Sequence, residues 1–180
     1  MTLYSDQAAI LLIDVQERLV QAMSRKDELL RNLEILLKGG NILGMPVLWA
    51  DQHPKGLGPT VPALSALLPG QQPIIKRSFS CCGHEPFLQA LNALQRKQML
   101  VAGIETHVCV FQTALELHNL GYAVQVVSDA VSSRTPANNQ IGLDRLRAEG
   151  ITLTSTEMAL FELLKVAEGA QFKEILTLVK

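Results

Sequence analysis

The run Ala8-Ala9-Ile10-Leu11-Leu12-Ile13 is apolar at every position and stops at Asp14. A strand with one wet face alternates apolar and polar residues. A strand that is apolar throughout must be covered on both faces, as inside a parallel sheet between two helical layers. The rest of the chain continues this theme. Residues 27–43 place Leu29, Leu30, Leu33, Leu36 and Leu37 at helical spacing, Gly44 closes the segment, and residues 46–50 restart a strand. Further strands are expected at 73–76, 98–104, 123–127 and 151–154, with helices at 85–96, 108–119, 138–149 and from 156 onward. Residues 54–73 read as loop with one helical turn at 63–68. Six strands alternating with helices predict a doubly wound, mostly parallel α/β sheet with helices on both faces, a Rossmann-type three-layer arrangement in a single domain, 1–180.

The chain is 48% hydrophobic and 18% charged, which argues against disorder. Its net charge is −1 and its basic residues are scattered, so neither nucleic acid nor an anionic membrane is expected as a partner. No apolar run approaches the ~20 residues that span a bilayer. Residues 1–7 are polar and lack the layout of a signal peptide. Three cysteines, two of them the neighbours Cys81 and Cys82, do not make a disulfide framework, and a reducing cytoplasm is expected.

In open α/β sheets, sites form beyond the carboxyl ends of the strands where strand order reverses. Asp14 closes the first predicted strand, Lys76 the third, and Cys109 opens the helix after the fourth. If the first and fourth strands are central neighbours, all three converge. A helix N-terminus and a nearby ammonium favour a thiolate nucleophile, and an adjacent carboxylate can take its proton. Backbone N–H groups around Glu105 and Cys109, unpaired in a first helical turn, could bind an oxyanion. The thiol is accordingly expected to have a depressed pKa. Taken singly, a cysteine at the start of an apolar helix is more often a packed residue, and an aspartate after a strand is as often a turn residue.

Three segments carry a resemblance: Ala9-Ile10-Leu11-Leu12-Ile13-Asp14-Val15-Gln16, Lys76-Arg77-Ser78-Phe79-Ser80, and Gly103-Ile104-Glu105-Thr106-His107-Val108-Cys109-Val110. In this order they resemble the signatures of the isochorismatase-like cysteine hydrolases, a superfamily that includes nicotinamidases and related amidases. The later Ser128-Asp129-Ala130 extends the resemblance. It implies that Asp14 is the general base, Lys76 its electrostatic partner and Cys109 the nucleophile. It also implies a non-proline cis peptide joining Ile104 and Glu105, a thioester intermediate, a small-molecule substrate and a homo-oligomer. Isochorismatases proper cleave a vinyl ether without a cysteine, so a small amide or similar C–N bond is the better expectation here.

Asp51-Gln52-His53-Pro54 resembles the Asp-Trp-His-Pro stretch that binds a divalent metal in nicotinamidases. The second histidine of that pattern is missing, since His84 follows Lys76 rather than preceding it, so no metal or other cofactor is expected. Asp51 and His53 are read as a polar loop at the pocket mouth. Trp49, Leu57 and Phe79 are candidate pocket walls. Cys81 and Cys82 are read as packing residues or sites of incidental oxidation, and His107, two residues before Cys109 in a tight turn, is not read as its catalytic partner. A metal-dependent nicotinamidase and a non-catalytic binding or oligomerisation module are the competing readings. A nucleotide-binding domain would need glycines after the first strand, where Asp14-Val15-Gln16-Glu17-Arg18 has none.

Overall fold

The computed structural model describes residues 2–180. Strand β1 (Ala8–Ile13) is buried at all six positions, as its sequence demands. It lies between β2 (Val47–Gln52) and β4 (Gln98–Ile104), parallel to both. With β3 (Ile74–Lys76), β5 (Ala123–Ser132) and β6 (Thr152–Thr154) the sheet order is β3-β2-β1-β4-β5-β6. Every neighbouring pair is parallel, so the expected doubly wound architecture holds without the antiparallel strand that "mostly parallel" left room for. Strand order reverses between β1 and β4. The crevice at their carboxyl ends is where a site is expected.

Alternate side chains of β1 divide between two cores. Ala8, Ile10 and Leu12 pack with Leu29, Leu33, Leu36 and Leu37 of α2 (Lys26–Ile42) and with Ala159 and Leu163 of α8 (Thr156–Leu164). Ala9, Leu11 and Ile13 pack with Phe87 and Leu91 of α5 (Glu85–Ala93), Leu117 of α6 (Phe111–Asn119), and Leu143 and Leu146 of α7 (Pro136–Ala148). Burying whole leucine and isoleucine side chains on both faces at about 1.5–3 kcal/mol each makes this strand the spine of the domain.

Helix starts follow local chemistry. Thr135 accepts a hydrogen bond from the Asn138 amide (3.1 Å) with Pro136 at the first helical position, and Ser155 caps α8 at the Met158 amide (3.2 Å). Short helices α1 (Glu17–Gln21), α3 (Pro54–Leu57) and α4 (Pro62–Ser65) lie around the carboxyl-end crevice or beside it. The first two were not expected from sequence, being too short to show a period.

Several expected boundaries move, three of them with structural consequences. Strand β5 runs to Ser132 rather than 127, through a register shift opposite Val101 and Gly103. Its polar residues Ser128 and Asp129 resemble a strand end but bond forward, to the Thr154 carbonyl and to Thr156. The C-terminal helix splits at Lys165, whose φ is +68°, giving α8 and α9 (Gly169–Val179). The helix expected from 108 begins instead as a π-type turn, Thr106–Val110, leading into α6. Among the described residues no helix is long and apolar enough to cross a membrane.

Candidate active site

Asp14 follows β1 with a left-handed backbone (φ +53°), and its amide donates to the Ala50 carbonyl at 2.9 Å. That turn points a carboxylate inward, where it is fully buried. Lys76, the last residue of β3, is buried too and reaches back across β2. Its Nζ lies 2.7 Å from Asp14 Oδ2, and 3.2 and 3.1 Å from the carbonyl oxygens of Ser78 and Phe79. Three acceptors thus meet the three ammonium protons. The other carboxylate oxygen, Asp14 Oδ1, is buried with no hydrogen-bond partner among the described residues. Cys109 sits in the π-type turn after β4, and its thiol donates to Gln52 Oε1 at 3.4 Å. The fold therefore brings together all three residues singled out in the sequence.

Electrostatics within this group differ from the expectation at one point. Burial, only partly offset by the Lys76 ammonium, raises Asp14 above the usual carboxylate range. Burial alone would lower Lys76, yet the charges around it, Asp14 foremost, hold it above the usual lysine range. Cys109 was expected to have a depressed pKa. Burial first, and then the neighbouring Asp14 carboxylate, push it up instead, against a smaller opposing effect of Lys76. Burial outweighs Lys76, whose charge is already paired with Asp14 at 2.7 Å. A raised pKa favours the thiol form, so making the thiolate calls for a base to take its proton.

The peptide between Ile104 and Glu105 is cis. The Glu105 carbonyl accepts from the Val108 and Val110 amides (3.0 and 3.2 Å). Its carboxylate holds both the amide and Nε of Arg134 at 3.1 Å. Thr106 bonds Asn139 at 2.6 Å and His107 Nδ1 lies 2.9 Å from Ser133 Oγ, so the turn that carries Cys109 is anchored to α7 and to the end of β5. His107 is thereby occupied away from the thiol.

Above Cys109 opens a cleft of about 190 Å³, walled by Leu19, Leu57, Phe79, Ile104 and Val108, with Gln52 and Glu105 on its rim. Leu57 and Phe79, two of the candidate pocket walls, line this cleft. Trp49 does not: it is buried in the α2-side core and donates from Nε1 to Thr60 Oγ1 at 2.7 Å, because its inward register on β2 faces the helical layer. Asp51 is no mouth loop either. It lies within β2, buried, with its two carboxylate oxygens taken by the hydroxyl (2.6 Å) and amide (3.2 Å) of Thr60. His53 is exposed at the head of α3, and among the described residues no cluster of three or more His, Cys, Asp or Glu could hold a metal ion. Cys81 is packed in the core with its amide on Thr113 (3.0 Å), and burial raises its thiol to about 12 and that of Cys82 to about 11. A larger hollow of about 540 Å³ lies at the amino ends of β4 and β5 around Lys97 and Tyr122, remote from Cys109.

Sequence reasoning missed Gln52 and Gln16. Gln16 is buried; its Oε1 accepts from the Gln52 amide at 2.9 Å and its Nε2 donates to the Gly58 carbonyl at 2.6 Å, tying β1, β2 and the loop that carries Leu57. The carboxyl-end rule that selected Asp14 and Lys76 would have selected Gln52 had β2 been extended by two residues.

The family model described as "Isochorismatase domain" matches residues 8–158. Isochorismatase domain-containing protein 2 of Rattus norvegicus is 37% identical over 179 residues, covering 99% of this chain and 83% of the rat protein. A solved structure of MAR1 ribonuclease from Caenorhabditis elegans superposes with a TM-score of 0.93 at 32% identity, over 99% of this chain and 92% of that one. The YcaC gene product of Escherichia coli, described as an octameric hydrolase of unknown specificity, has a TM-score of 0.94 at 26% identity, over 99% and 90%.

Proposed function

We infer the chemistry from the premise that this chain belongs to the isochorismatase-domain family: we propose a hydrolase that cleaves a small amide or similar C–N bond through a thioester on Cys109. The observation that carries this reading is the buried Asp14–Lys76 pair, with one carboxylate oxygen unpartnered, next to a thiol that opens on a cleft. A carboxylate with a raised pKa is a better base toward a thiol than an ordinary one, and an unpartnered oxygen can receive a proton without losing a bond.

In the proposed cycle Cys109 Sγ attacks the carbonyl carbon while its proton passes to Asp14. The amides of Glu105 and Cys109 are the proposed donors to the carbonyl oxygen as it gains charge. Asp14 then returns the proton to the departing nitrogen, and ammonia or an amine leaves. Water, deprotonated by Asp14, attacks the thioester; the acid departs and the thiol is restored with the proton from Asp14. Lys76 holds the Asp14 side chain in place throughout and favours its ionised form each time it must take a proton. The cycle uses no cofactor.

We further propose a homo-oligomer in a reducing compartment such as the cytoplasm. The octameric neighbour, the exposed Ile141, Met158 and Val166, and the three free cysteines support this. A ribonuclease would need a basic track for phosphates; here 16 Lys and Arg are outnumbered by 17 Asp and Glu.

Intact-protein mass spectrometry with a panel of small amides tests the proposal. An acyl-sized adduct is expected on the wild type, absent from Cys109→Ala, and in Asp14→Asn, which lacks the base for both steps, neither formed nor turned over at an appreciable rate. No adduct and no released ammonia or amine from any amide would sink the thioester route and favour a non-catalytic binding module.

A further inference from the structure

Of the side chains lining the cleft, Glu105 carries charge and is engaged by Arg134 at 3.1 Å; the buried Asp14–Lys76 pair, closed on itself at 2.7 Å, does not line it. Apart from the Cys109 thiol, the remaining lining side chains are hydrocarbon except for the half-buried carboxamide of Gln52. Its place is fixed by the backbone, through the Gln16 side chain at 2.9 Å and the parallel pairing of Gln52 with Lys76. Its head is loosely held. Among the described residues Nε2 reaches only the Arg77 carbonyl, at 3.4 Å, and Oε1 accepts only the Cys109 thiol, also at 3.4 Å.

The geometry points to Gln52 as the specificity-determining residue that reads the substrate's head group, and to a small neutral aliphatic primary carboxamide as the substrate class. This rests on the Cys109 hydrolase reading and deepens it. When the thiol gives its proton to Asp14, Gln52 Oε1 loses its donor. A half-buried acceptor without a partner is costly, and an N–H of a bound carboxamide restores the bond at that moment. Gln52 Nε2 can in turn donate to a carbonyl. A carboxylate head would instead face an oxygen acceptor with no free cation among the lining residues, and would lose its hydration uncompensated. The tail is set by Leu57 and Phe79, and the volume of about 190 Å³ has room for about six waters, hence a molecule of about that many non-hydrogen atoms.

Alkylation isolates head-group reading from hydrolysis. Iodoacetamide and iodoacetate share one reactive carbon and differ only in the head; in each, a bond forms from sulfur to that carbon and iodide leaves. Rates at Cys109 are read by peptide mass spectrometry at pH 9, with 2-mercaptoethanol as the reference thiol. The amide-to-acid rate ratio at Cys109 is expected to exceed the reference ratio about ten-fold, the scale of one or two net hydrogen bonds. Gln52→Met, nearly isosteric, and Gln52→Leu are each expected to bring it down toward the reference, with circular dichroism unchanged. A wild-type ratio at or below the reference overturns the assignment, as does a ratio that neither variant moves, or a Cys109 that neither reagent reaches. Because no acyl-enzyme is involved, a selective Cys109 with no amide turnover would defeat the hydrolase reading alone.

Discussion

Lys76 has no exposed side-chain surface and neither does Asp14, so each stays charged only because the other lies 2.7 Å away. Removing one partner strands the other in the interior, which typically costs about 3–5 kcal/mol. The proposed reaction depends on the same contact. Asp14 must be ionised to take the thiol proton, and burial raises its pKa above the ordinary 3.8. Activity is therefore expected to fall as pH drops through that raised value, before ordinary carboxylates protonate. Rate measurements from pH 4 to 8 on any substrate found check this, and a flat profile down to pH 4 would remove Asp14 as the base. Asp14 and Cys109 were candidates in the sequence from their positions at or after strand ends, their residue types and the family resemblance taken together. The charge state of Cys109 was not legible there, since it depends on burial and on Lys76 being already paired.

At the scale of elements, the site depends on β1 and β4 lying very close at their carboxyl ends. Gly103 has φ +118°, and a Cβ placed there would fall 2.1 Å from the Ile13 carbonyl oxygen. Backbone cannot yield as a side-chain tip can. Gly103→Ala is expected to lower unfolding free energy by at least about 3 kcal/mol, read from urea denaturation. A loss under about 1 kcal/mol would show that the approach is not required. The helix and strand types were readable from period and punctuation. The extension of β5 to Ser132 was not, because Ser128 and Asp129 find partners in β6 and α8 that are distant in sequence. The same holds for Trp49, whose strand was recognised but whose facing side was not.

For the molecule as a whole, the buried Lys76–Asp14 pair joins β3 to β1 across β2, so its charge state reports on the entire sheet edge. Lys76 has a folded pKa above its unfolded 10.5. Its contribution to stability is full below the unfolded value and is lost as pH rises through the folded one. Asp14 works the other way: raised above 3.8, its burial penalty grows as pH rises from that value through its folded pKa. Wild type is expected to lose stability above pH 10.5 more steeply than Lys76→Met, measured by urea midpoints between pH 8 and 12. Parallel curves would mean that Lys76 does not titrate with folding. The sequence by itself determined the layered α/β architecture, because uninterrupted apolar runs can be buried only between helices, and it determined which side chains end those strands. Tertiary structure alone decided that Asp14 keeps one oxygen unpartnered, that Asp51 is spent on Thr60, and that Gln52 faces the thiol. Those outcomes turn on distances between residues far apart in the chain, and no local pattern encodes them.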